Sequence, residues 1–492
     1  MQMTSIEEWS PRPGEILEVV PTADALAAAH HAPVSTARPS LLQESHIRTA
    51  ADRRAKGVDW SPWLAFAFRV PRPLDRDAWL RAANCFVTGH GTLLTWFDTA
   101  TSENTSGDSH SVTLTRRAVD PEQVELELVS RGHAATSDEV RELVASRFSV
   151  NTSPLEWPAF VIGAIDHGED GFTVYYGIDH SHTDGVSLLL GVEDLFNLYD
   201  HEAGGPSESM AKVGSYVDFS EHERAATEHL SLWSPAVRVW AKALFKVRNK
   251  LPSTAVELGL TPGETARSVR VDRVLVDGAQ MADFEKACKS SGGGVSAGLF
   301  AILALIDVAL AGRTSYLALN AVATRSDPAY RRAQGWFINL VPVATKVKPD
   351  ATFVDLIPSL QKSIRSSRVA AGVPARAIVD RVARVGGVKV APTAVPPIVS
   401  YIDMRSFPGG EHPVADEIHA LGGPGNTGDL SMWINRRSTD TYTMVSFPDT
   451  EVARANVESY LGAIAALMAA VARGEVVDVA AAKDALRVPV VR

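Results

Sequence analysis

Cysteine is nearly absent from this sequence. The 492 residues include two cysteines, Cys85 and Cys288, which lie in unrelated segments. This scarcity excludes a disulfide framework and any cysteine-rich metal site. It is typical of a reducing compartment, and we therefore expect a cytoplasmic protein.

Long apolar runs are missing as well. Residues 1–15 are acidic and have no apolar core, so they do not resemble a signal peptide. The longest apolar runs, residues 299–311 and 461–472, are shorter than the roughly 20 residues that a membrane span requires. Both runs predict buried helices of a globular protein.

Positive charge is not in excess. With 48 Lys+Arg against 58 Asp+Glu, the formal net charge is −10, which argues against bulk attraction to nucleic acid or to an anionic bilayer. A local basic patch remains compatible with this balance. We expect no nucleic-acid partner.

The length predicts two domains of roughly 200 residues each. A coarse order of helix, strands, helix and hairpin recurs once in each half, which predicts two similar α/β lobes of the α+β type. We place a lead-in segment at residues 1–38 and an N-terminal lobe at residues 39–205. A helical connector follows at residues 206–266, and a C-terminal lobe at residues 267–492.

The most informative stretch is residues 172–200. It begins as an apolar, aromatic strand and ends as an amphipathic helix. Between the two it places four ionisable side chains within six residues: Asp179, His180, His182 and Asp184. An imidazole can accept and return a proton near neutral pH, and a carboxylate followed by Gly185 can hold the loop in one shape.

Two other interpretations of this stretch remain open at this point. Alternate residues of an extended segment share a face, so His180, His182 and Asp184 could form a metal site of two histidines and one carboxylate. A pair of hydrogen-bonded buried histidines would produce the same pattern.

Two further motifs have simpler explanations. Residues 294–298 (GVSAG) match a nucleophile elbow, but the preceding segment is predicted as a helix, and Ser296 is expected to cap the helix that follows. Residues 235–250 form a basic amphipathic helix, which a solvated surface explains. Its functional alternative is a strip for an acidic carrier protein, coenzyme phosphates or a lipid headgroup.

Five motifs in order resemble the condensation-domain and chloramphenicol-acetyltransferase-like superfamily. They are residues 39–43 (PSLLQ), 89–97 (GHGTLLTWF), 179–185 (DHSHTDG, its HHxxxDG signature), 215–219 (SYVDF) and 335–342 (GWFINLVP). Asp179 before the histidine, the GWF…LVP segment and residues 432–436 (MWINR) look most like the polyketide-associated-protein acyltransferases of actinobacteria.

The resemblance implies a fold of two chloramphenicol-acetyltransferase-like lobes with a tunnel between them. It makes His180 the catalytic general base, and it gives Asp184 and Gly185 a structural role, with Arg325 as the partner of Asp184. Residues of the matching motifs become candidates for the substrate tunnel: Trp336, Asn339, Trp433 and Asn435. The family is metal-free, so no metal site is expected.

The implied function is an O-acyltransferase without a cofactor. A long fatty or polyketide acyl group would pass from a CoA or carrier-protein thioester, the latter presented by a polyketide synthase, to a hydroxyl of a glycolipid or of a sugar such as trehalose or sulfated trehalose. A monomer is expected, with peripheral contact at the inner face of the cell membrane. The alternatives are a free-standing condensation enzyme that forms an amide, a non-catalytic carrier-docking subunit and a metal-dependent hydrolase.

The sequence also departs from the family pattern. The first histidine of HHxxxDG is Asp179, and the arginines of the second motif are replaced by Gly89 and Leu94. The resemblance assigns no role to that second motif or to His182.

Overall fold

Two seven-stranded sheets organise the chain, one in each of two units. The computed structural model describes residues 2–57, 62–102, 111–208, 211–386, 397–406, 418–423 and 425–487. The first unit combines Met1–Ala225, Arg325–Phe337 and Pro408–Gly425. The second combines Ala226–Thr324, Ile338–Phe407 and Asn426–Arg492.

The helices of the described residues are α1 (Ala23–His30), α2 (Leu41–Ala55), α3 (Arg76–Gly89), α4 (Ser137–Asn151), α5 (Gly185–Glu202), α6 (Tyr216–Glu228), α7 (Pro235–Lys246), α8 (Gly278–Ser290), α9 (Val295–Ala311), α10 (Phe353–Ser367), α11 (Ala375–Gly386), α12 (Glu451–Ala472) and α13 (Val479–Arg487).

The strands are β1 (Gln2–Ser5), β2 (Gly14–Pro21), β3 (Trp63–Val70), β4 (Thr95–Ser102), β5 (Ser111–Ala118), β6 (Leu126–Ala134), β7 (Phe160–Asp166), β8 (Phe172–Asp179), β9 (Ala266–Asp277), β10 (Ser315–Ala323), β11 (Ile338–Lys346), β12 (Ile398–Asp403), β13 (His419–Gly422), β14 (Asn426–Thr427), β15 (Ser431–Arg436) and β16 (Asp440–Pro448).

The sheet of the first unit has the order β1-β13-β3-β8-β7-β2-β6. Its central strand β8 is buried along its whole length, because α3 and α5 cover one face of the sheet and α4 covers the other. The aromatic and β-branched residues of β8 suit such a strand. Strands β7 and β8 form an antiparallel hairpin, with Phe160 opposite Ile178. This strand ends immediately before His180.

The sheet of the second unit has the order β11-β10-β12-β15-β16-β9-β14. One face packs on α8, α9 and α12, whose apolar side chains form the largest core cluster. The opposite face of β10 and β11 is covered by α7 and α11.

Helix α12 has the length and apolar composition of a membrane span. The pair α8 and α9 has them too if the two helices are counted as one bent span. Leu461, Ile464 and Met468 of α12 are nevertheless buried in this core.

The division of the chain differs from the predicted one. Residues 1–38 are not a loose lead-in, because β1, β2 and α1 lie in this segment and both strands join the first sheet. The boundary falls inside α6, between Ala225 and Ala226, rather than at residue 205. Two segments from the second half of the sequence also belong to the first unit, and one of them carries Arg325.

The GVSAG match is not a nucleophile elbow in this fold. Helix α8 precedes it where an elbow requires a strand, and α9 begins at Val295. The cap residue of α9 is Gly294, which makes no side-chain capping bond, so the expected capping role of Ser296 is wrong. The short strands β13 and β14 are not among the elements predicted from the sequence.

Candidate active site

A tight turn connects β8 to α5 and presents His180. The Asp179 carboxylate accepts a hydrogen bond from the Ser181 backbone N–H at 2.8 Å, which starts the turn. Asp184 then caps α5 by accepting from the Ser187 backbone N–H at 2.6 Å. The loop is therefore held by a carboxylate at each end. Gly185 was expected to permit a tight fold, but a Cβ there would meet nothing within 4 Å.

The orientation of His180 fixes the position of its proton. Its Nδ1 lies 3.0 Å from the carbonyl oxygen of Thr183. Because a carbonyl oxygen only accepts, Nδ1 carries the hydrogen and Nε2 keeps its lone pair when the ring is neutral. Burial, and then the neighbouring His46, lower the pKa of His180 from its ordinary value. The imidazole is thus held as a neutral base at physiological pH.

Two aromatic rings lie next to the His180 imidazole. The indole of Trp336 lies against the His180 imidazole, with ring centroids 4.3 Å apart and planes 31° apart. The His46 ring stands edge-on to the same indole at 5.6 Å, and its centroid is 6.3 Å from that of His180. Trp336, predicted as a substrate-tunnel candidate, therefore contacts the base directly.

His46 was missed in the sequence analysis. This residue of α2 places its Nε2 3.1 Å from the carboxylate of Asp179, which is buried, while the His46 side chain is 9% exposed. Burial raises the pKa of Asp179, but its hydrogen bonds and the two neighbouring histidines, His46 and His182, together lower it by more, so the net shift is downward. A signal was available, because His46 follows Gln43 by three residues and so shares its inward face of α2.

The contacts of Asp184 leave its carboxylate unavailable as a base. Its side chain is fully buried and pairs with Arg325, with 3.2 Å between Oδ1 and Nη2. Its Oδ2 also accepts the backbone N–H of Phe337 at 2.8 Å. One carboxylate thus joins the start of α5 to the Arg325–Phe337 segment.

Arg325 is bound from several sides. Its Nη1 donates to the carbonyl oxygens of Tyr330 and Ala333, and its Nη2 donates to the Ser187 hydroxyl. Its guanidinium carbon lies 4.2 Å from the centroid of the Phe337 ring. The Asp184 charge is therefore matched by a guanidinium that is itself nearly buried.

Gly335 is required by a close approach. A Cβ at this position would lie 2.4 Å from the ring of Tyr216, and the φ angle of +154° is one that other residues rarely adopt. The Tyr216 hydroxyl donates to the carbonyl oxygen of Trp336, and it also lies 3.0 Å from the Ser40 hydroxyl. The glycine and the tyrosine of two separate motifs therefore fix the backbone that carries Trp336.

His182 acquires a role that the sequence analysis could not assign. Its Nε2–H donates to the Thr95 carbonyl oxygen at 3.1 Å, and the Ser181 hydroxyl lies 2.8 Å from its Nδ1. Both ring nitrogens are thereby used inside the protein. Burial lowers the pKa of His182 to about 4. His182 is a neutral structural histidine that ties the loop to residues 89–97.

This burial predicts an acid-dependent loss of stability. The unfolded histidine takes up a proton below its ordinary pKa of about 6.5, whereas folded His182 stays neutral down to about pH 4. Stability should therefore fall as the pH is lowered through this window, by up to about 3 kcal/mol from this group. Urea denaturation of wild type and His182→Gln between these pH values measures the difference.

His133→Gln is the matched control, because His133 is exposed on β6. The control should retain the full wild-type pH dependence, and His182→Gln should lose a large part of it. An unchanged slope in His182→Gln would show that other groups account for the effect.

Gln43 of α2 and Arg116 of β5 make a second hydrogen-bonded connection to the loop. The Gln43 amide donates to the Ser181 carbonyl oxygen at 2.9 Å, and its oxygen accepts from Arg116 at 2.9 Å. Arg116 is buried and also donates to the Ser220 hydroxyl. Burial lowers the pKa of this guanidinium to about 10. Neither Gln43 nor Arg116 was predicted as a site residue.

The other tunnel candidates lie in the second unit. The Asn339 amide donates to the backbone carbonyls of Ala370, Ala371 and Val373, and its oxygen accepts from two backbone N–H groups. Asn339 therefore secures the turn after α10 and has no polar atom left for a substrate. Trp433 and Asn435 project from β15 on the face opposite the buried Met432 and Ile434. Their substrate role stays a prediction, as does the tunnel.

The metal interpretation does not fit the geometry of the loop. His182 uses both nitrogens in internal hydrogen bonds, and Asp184 holds Arg325. Within the described part of the chain, no group of three or more His, Cys, Asp or Glu side chains has the spacing of a metal site. What the loop offers is one neutral imidazole with an available Nε2.

Known proteins share sequence similarity with this chain over most of its length. The family model for the condensation domain matches residues 63–400. The chain is 28% identical over 474 residues to the acyltransferase PapA3 of Mycobacterium tuberculosis, covering 95% of this chain and 96% of the relative. It is also 28% identical over 483 residues to the trehalose-2-sulfate acyltransferase PapA2 of Mycobacterium bovis, covering 96% and 97%.

Solved structures give the same result for the fold. The structure of a PapA2 acyl transferase superposes with a TM-score of 0.85 and 26% sequence identity, covering 96% of this chain and all of that one. The first condensation domain of the CDA synthetase superposes with a TM-score of 0.64 at 15% identity, covering 90% of this chain and 97% of the domain. Condensation domains consist of two chloramphenicol-acetyltransferase-like lobes, so the predicted fold class is confirmed.

Proposed function

Because this chain belongs to the condensation domain family and is an acyltransferase, we propose that it transfers a long acyl group from a thioester to the hydroxyl of a sugar or glycolipid. The observation that carries the proposal is the orientation of His180, whose Nδ1–H is held by the Thr183 carbonyl. The free lone pair on Nε2 is the group that an acceptor hydroxyl needs.

His180 acts as a general base in this mechanism. Its Nε2 accepts the proton of the acceptor hydroxyl while the oxygen attacks the thioester carbonyl. A carbon–oxygen bond forms, the carbon–sulfur bond then breaks, and the imidazolium returns the proton to the leaving thiolate. The products are an ester and a free thiol, and His180 is neutral again. Such a base contributes about 10²–10⁴ in rate.

The class of acceptor is proposed from the relatives. One is named a trehalose-2-sulfate acyltransferase, and another, from Mycobacterium bovis, a 2'-acyl-2-O-sulfo-trehalose (hydroxy)phthioceranyltransferase. Their similarity to this chain over almost its full length supports trehalose or sulfated trehalose as the acceptor. The donor is an acyl-CoA or an acyl carrier protein, and the proposed reaction needs no other cofactor.

The location follows from the substrates. Long acyl chains and glycolipids partition into bilayers, so the proposal places a monomeric protein in the cytoplasm, in peripheral contact with the inner face of the cell membrane. This contact requires no membrane-spanning segment.

The test is product formation from defined substrates. Purified protein is incubated with palmitoyl-CoA and either trehalose or trehalose 2-sulfate, and esters are detected by mass spectrometry. We expect an ester with at least one of these acceptors, and its release should be matched by free CoA thiol. An amine such as glucosamine serves as the comparison. Amide formation without any ester would contradict the proposal.

A further inference from the structure

Two aromatic side chains are exposed at the ends of α7. Trp233 immediately precedes the helix and is 84% exposed, and Phe245 in its last turn is 80% exposed. Aromatic residues are normally buried because each removes a large apolar area from water. Since α7 has 12 residues and each adds about 1.5 Å, roughly 18 Å of helix separates the two.

The exposed face between these aromatics is basic. Arg238 and Lys242 lie on the same helical stripe as Phe245, three to four residues apart, and both are exposed. Residues 230–250 contain five basic residues and no acidic one: Arg238, Lys242, Lys246, Arg248 and Lys250. This is a local reversal of charge in a protein with a net charge of −10. Arg238, Lys242 and Arg248 form no ion pair with any described residue.

Neighbouring elements extend the positive charge. Partial burial lowers the pKa of Lys246, and the nearby Lys362 and Lys346 lower it further. Lys346 ends β11 and Lys362 lies on α10, and both are exposed. We call Trp233, Phe245 and the basic side chains of α7 the α7 surface.

The inner side of α7 holds this surface rigidly. Val237, Trp240 and Leu244 are buried in a cluster with the apolar side chains of β10, β11 and α11. Arg381 of α11 donates to the Leu230 carbonyl oxygen just before Trp233. The helix therefore cannot rotate to bury Trp233 or Phe245 without breaking this packing. Their exposure is a property of the folded unit.

We propose that the α7 surface docks the protein on an anionic lipid bilayer. An aromatic ring at each end inserts at the headgroup level, and the basic side chains between them contact lipid phosphates. Two exposed aromatic rings with exposed cations between them match a membrane surface. An acidic carrier protein is the other candidate, but it accounts only for the basic side chains and gives no reason for the two exposed rings.

This inference rests on the proposed function only for the expectation of peripheral membrane contact. It identifies the surface that makes the contact, and its test does not depend on acyl transfer. Failure of one proposal therefore leaves the other standing.

The experiment is vesicle flotation with the full-length protein. Vesicles are made either of phosphatidylcholine alone or of equal parts phosphatidylcholine and phosphatidylglycerol. We expect binding to the anionic vesicles at low salt, weaker binding at high salt, and little binding to phosphatidylcholine alone. Wild-type protein that does not float with anionic vesicles at low salt would overturn the proposal.

Two double variants separate the contributions of the aromatic and the basic side chains to vesicle binding. Trp233→Ser/Phe245→Ser should lower the partition coefficient about tenfold or more, and Arg238→Glu/Lys242→Glu should remove the salt-dependent part. The matched control is Val150→Ser/Val476→Ser, because these apolar residues are 70% and 78% exposed elsewhere on the chain. The control should bind as wild type does.

A carrier-protein assay separates the two candidate partners. Binding of a purified holo acyl carrier protein is measured with the same variants by calorimetry. We expect the aromatic variant to bind it as wild type does. If that variant retained full vesicle binding and lost the carrier protein, the membrane proposal would be wrong. Thermal melting of each variant confirms that these exposed substitutions leave the fold intact.

Discussion

Replacing His180 with alanine should lower kcat for acyl transfer about 10²–10⁴-fold. The substitution removes the Nε2 lone pair that accepts the hydroxyl proton, and no other side chain of the loop supplies one. His182 uses both nitrogens internally, and Asp184 is held by Arg325. The measurement is ester formation by mass spectrometry together with KM for the acyl-CoA.

Two controls make the result specific. His133→Ala removes an exposed histidine and should retain wild-type kcat. His180→Ala should melt close to wild type, because the carboxylates of Asp179 and Asp184 still hold both ends of the loop. A His180→Ala enzyme with the wild-type rate would refute the assignment of the base.

The pH profile provides an independent readout. In the proposed mechanism His180 accepts a proton only when it is neutral, and its pKa is lowered by burial and by His46. Activity should therefore decline on the acidic side with a midpoint below about pH 6.5, the ordinary value for histidine. A profile that stays flat from neutral pH down to pH 5, measured under conditions where the protein remains folded, would contradict a titrating base.

Replacing Asp184 with alanine should destabilise the first unit by about 3–5 kcal/mol. The change leaves the Arg325 guanidinium buried without its carboxylate. It also removes the acceptor for two backbone N–H groups, those of Ser187 and Phe337. Folded yield and melting temperature should fall at least as strongly as activity. Differential scanning calorimetry and the specific activity of the remaining folded protein measure both.

The ion pair itself can be isolated by a double-mutant cycle. Asp184→Asn should cost less stability in an Arg325→Met background than in wild type, because no buried cation is then left unpaired. Asp283→Ala is the control, since Asp283 is exposed on α8. Normal melting of Asp184→Ala with lost turnover would instead indicate that Asp184 takes part in the chemistry.

The sequence was sufficient to predict the structure where a motif is contiguous or strongly periodic. The strand and the helix of residues 172–200 were predicted because the apolar run and the amphipathic pattern follow each other directly around the loop. The resemblance to the family also identified Arg325 as the partner of Asp184, although 141 positions separate the two residues in the sequence. In contrast, β1 and β13 have four residues each, too few for any periodicity to appear.

Trp336 was predicted from its motif, but the other residues around the loop were not. Gln43 ends the PSLLQ motif, which gave no sign of its contact with the loop, and the one signal for His46 was its helical spacing from Gln43. Arg116 belongs to an ordinary strand pattern, and only the fold brings it near the loop. Asn339 shows a limit of a different kind. An amide between aromatic and apolar residues looks the same in sequence whether it faces a substrate or, as here, five backbone groups of its own chain.

The first unit is assembled from distant parts of the chain, and this affects how it can fold during synthesis on the ribosome. Residues 1–225 appear first, yet the strand that pairs with β1 and β3 is β13, near residue 420, and the partner of Asp184 is Arg325. The first unit therefore cannot complete its sheet or its loop during synthesis of its own N-terminal segment. A fragment that ends at Ala225 would carry His180 but neither Arg325 nor β13. Nascent chains must keep an open sheet edge protected until nearly nine-tenths of the sequence has been made.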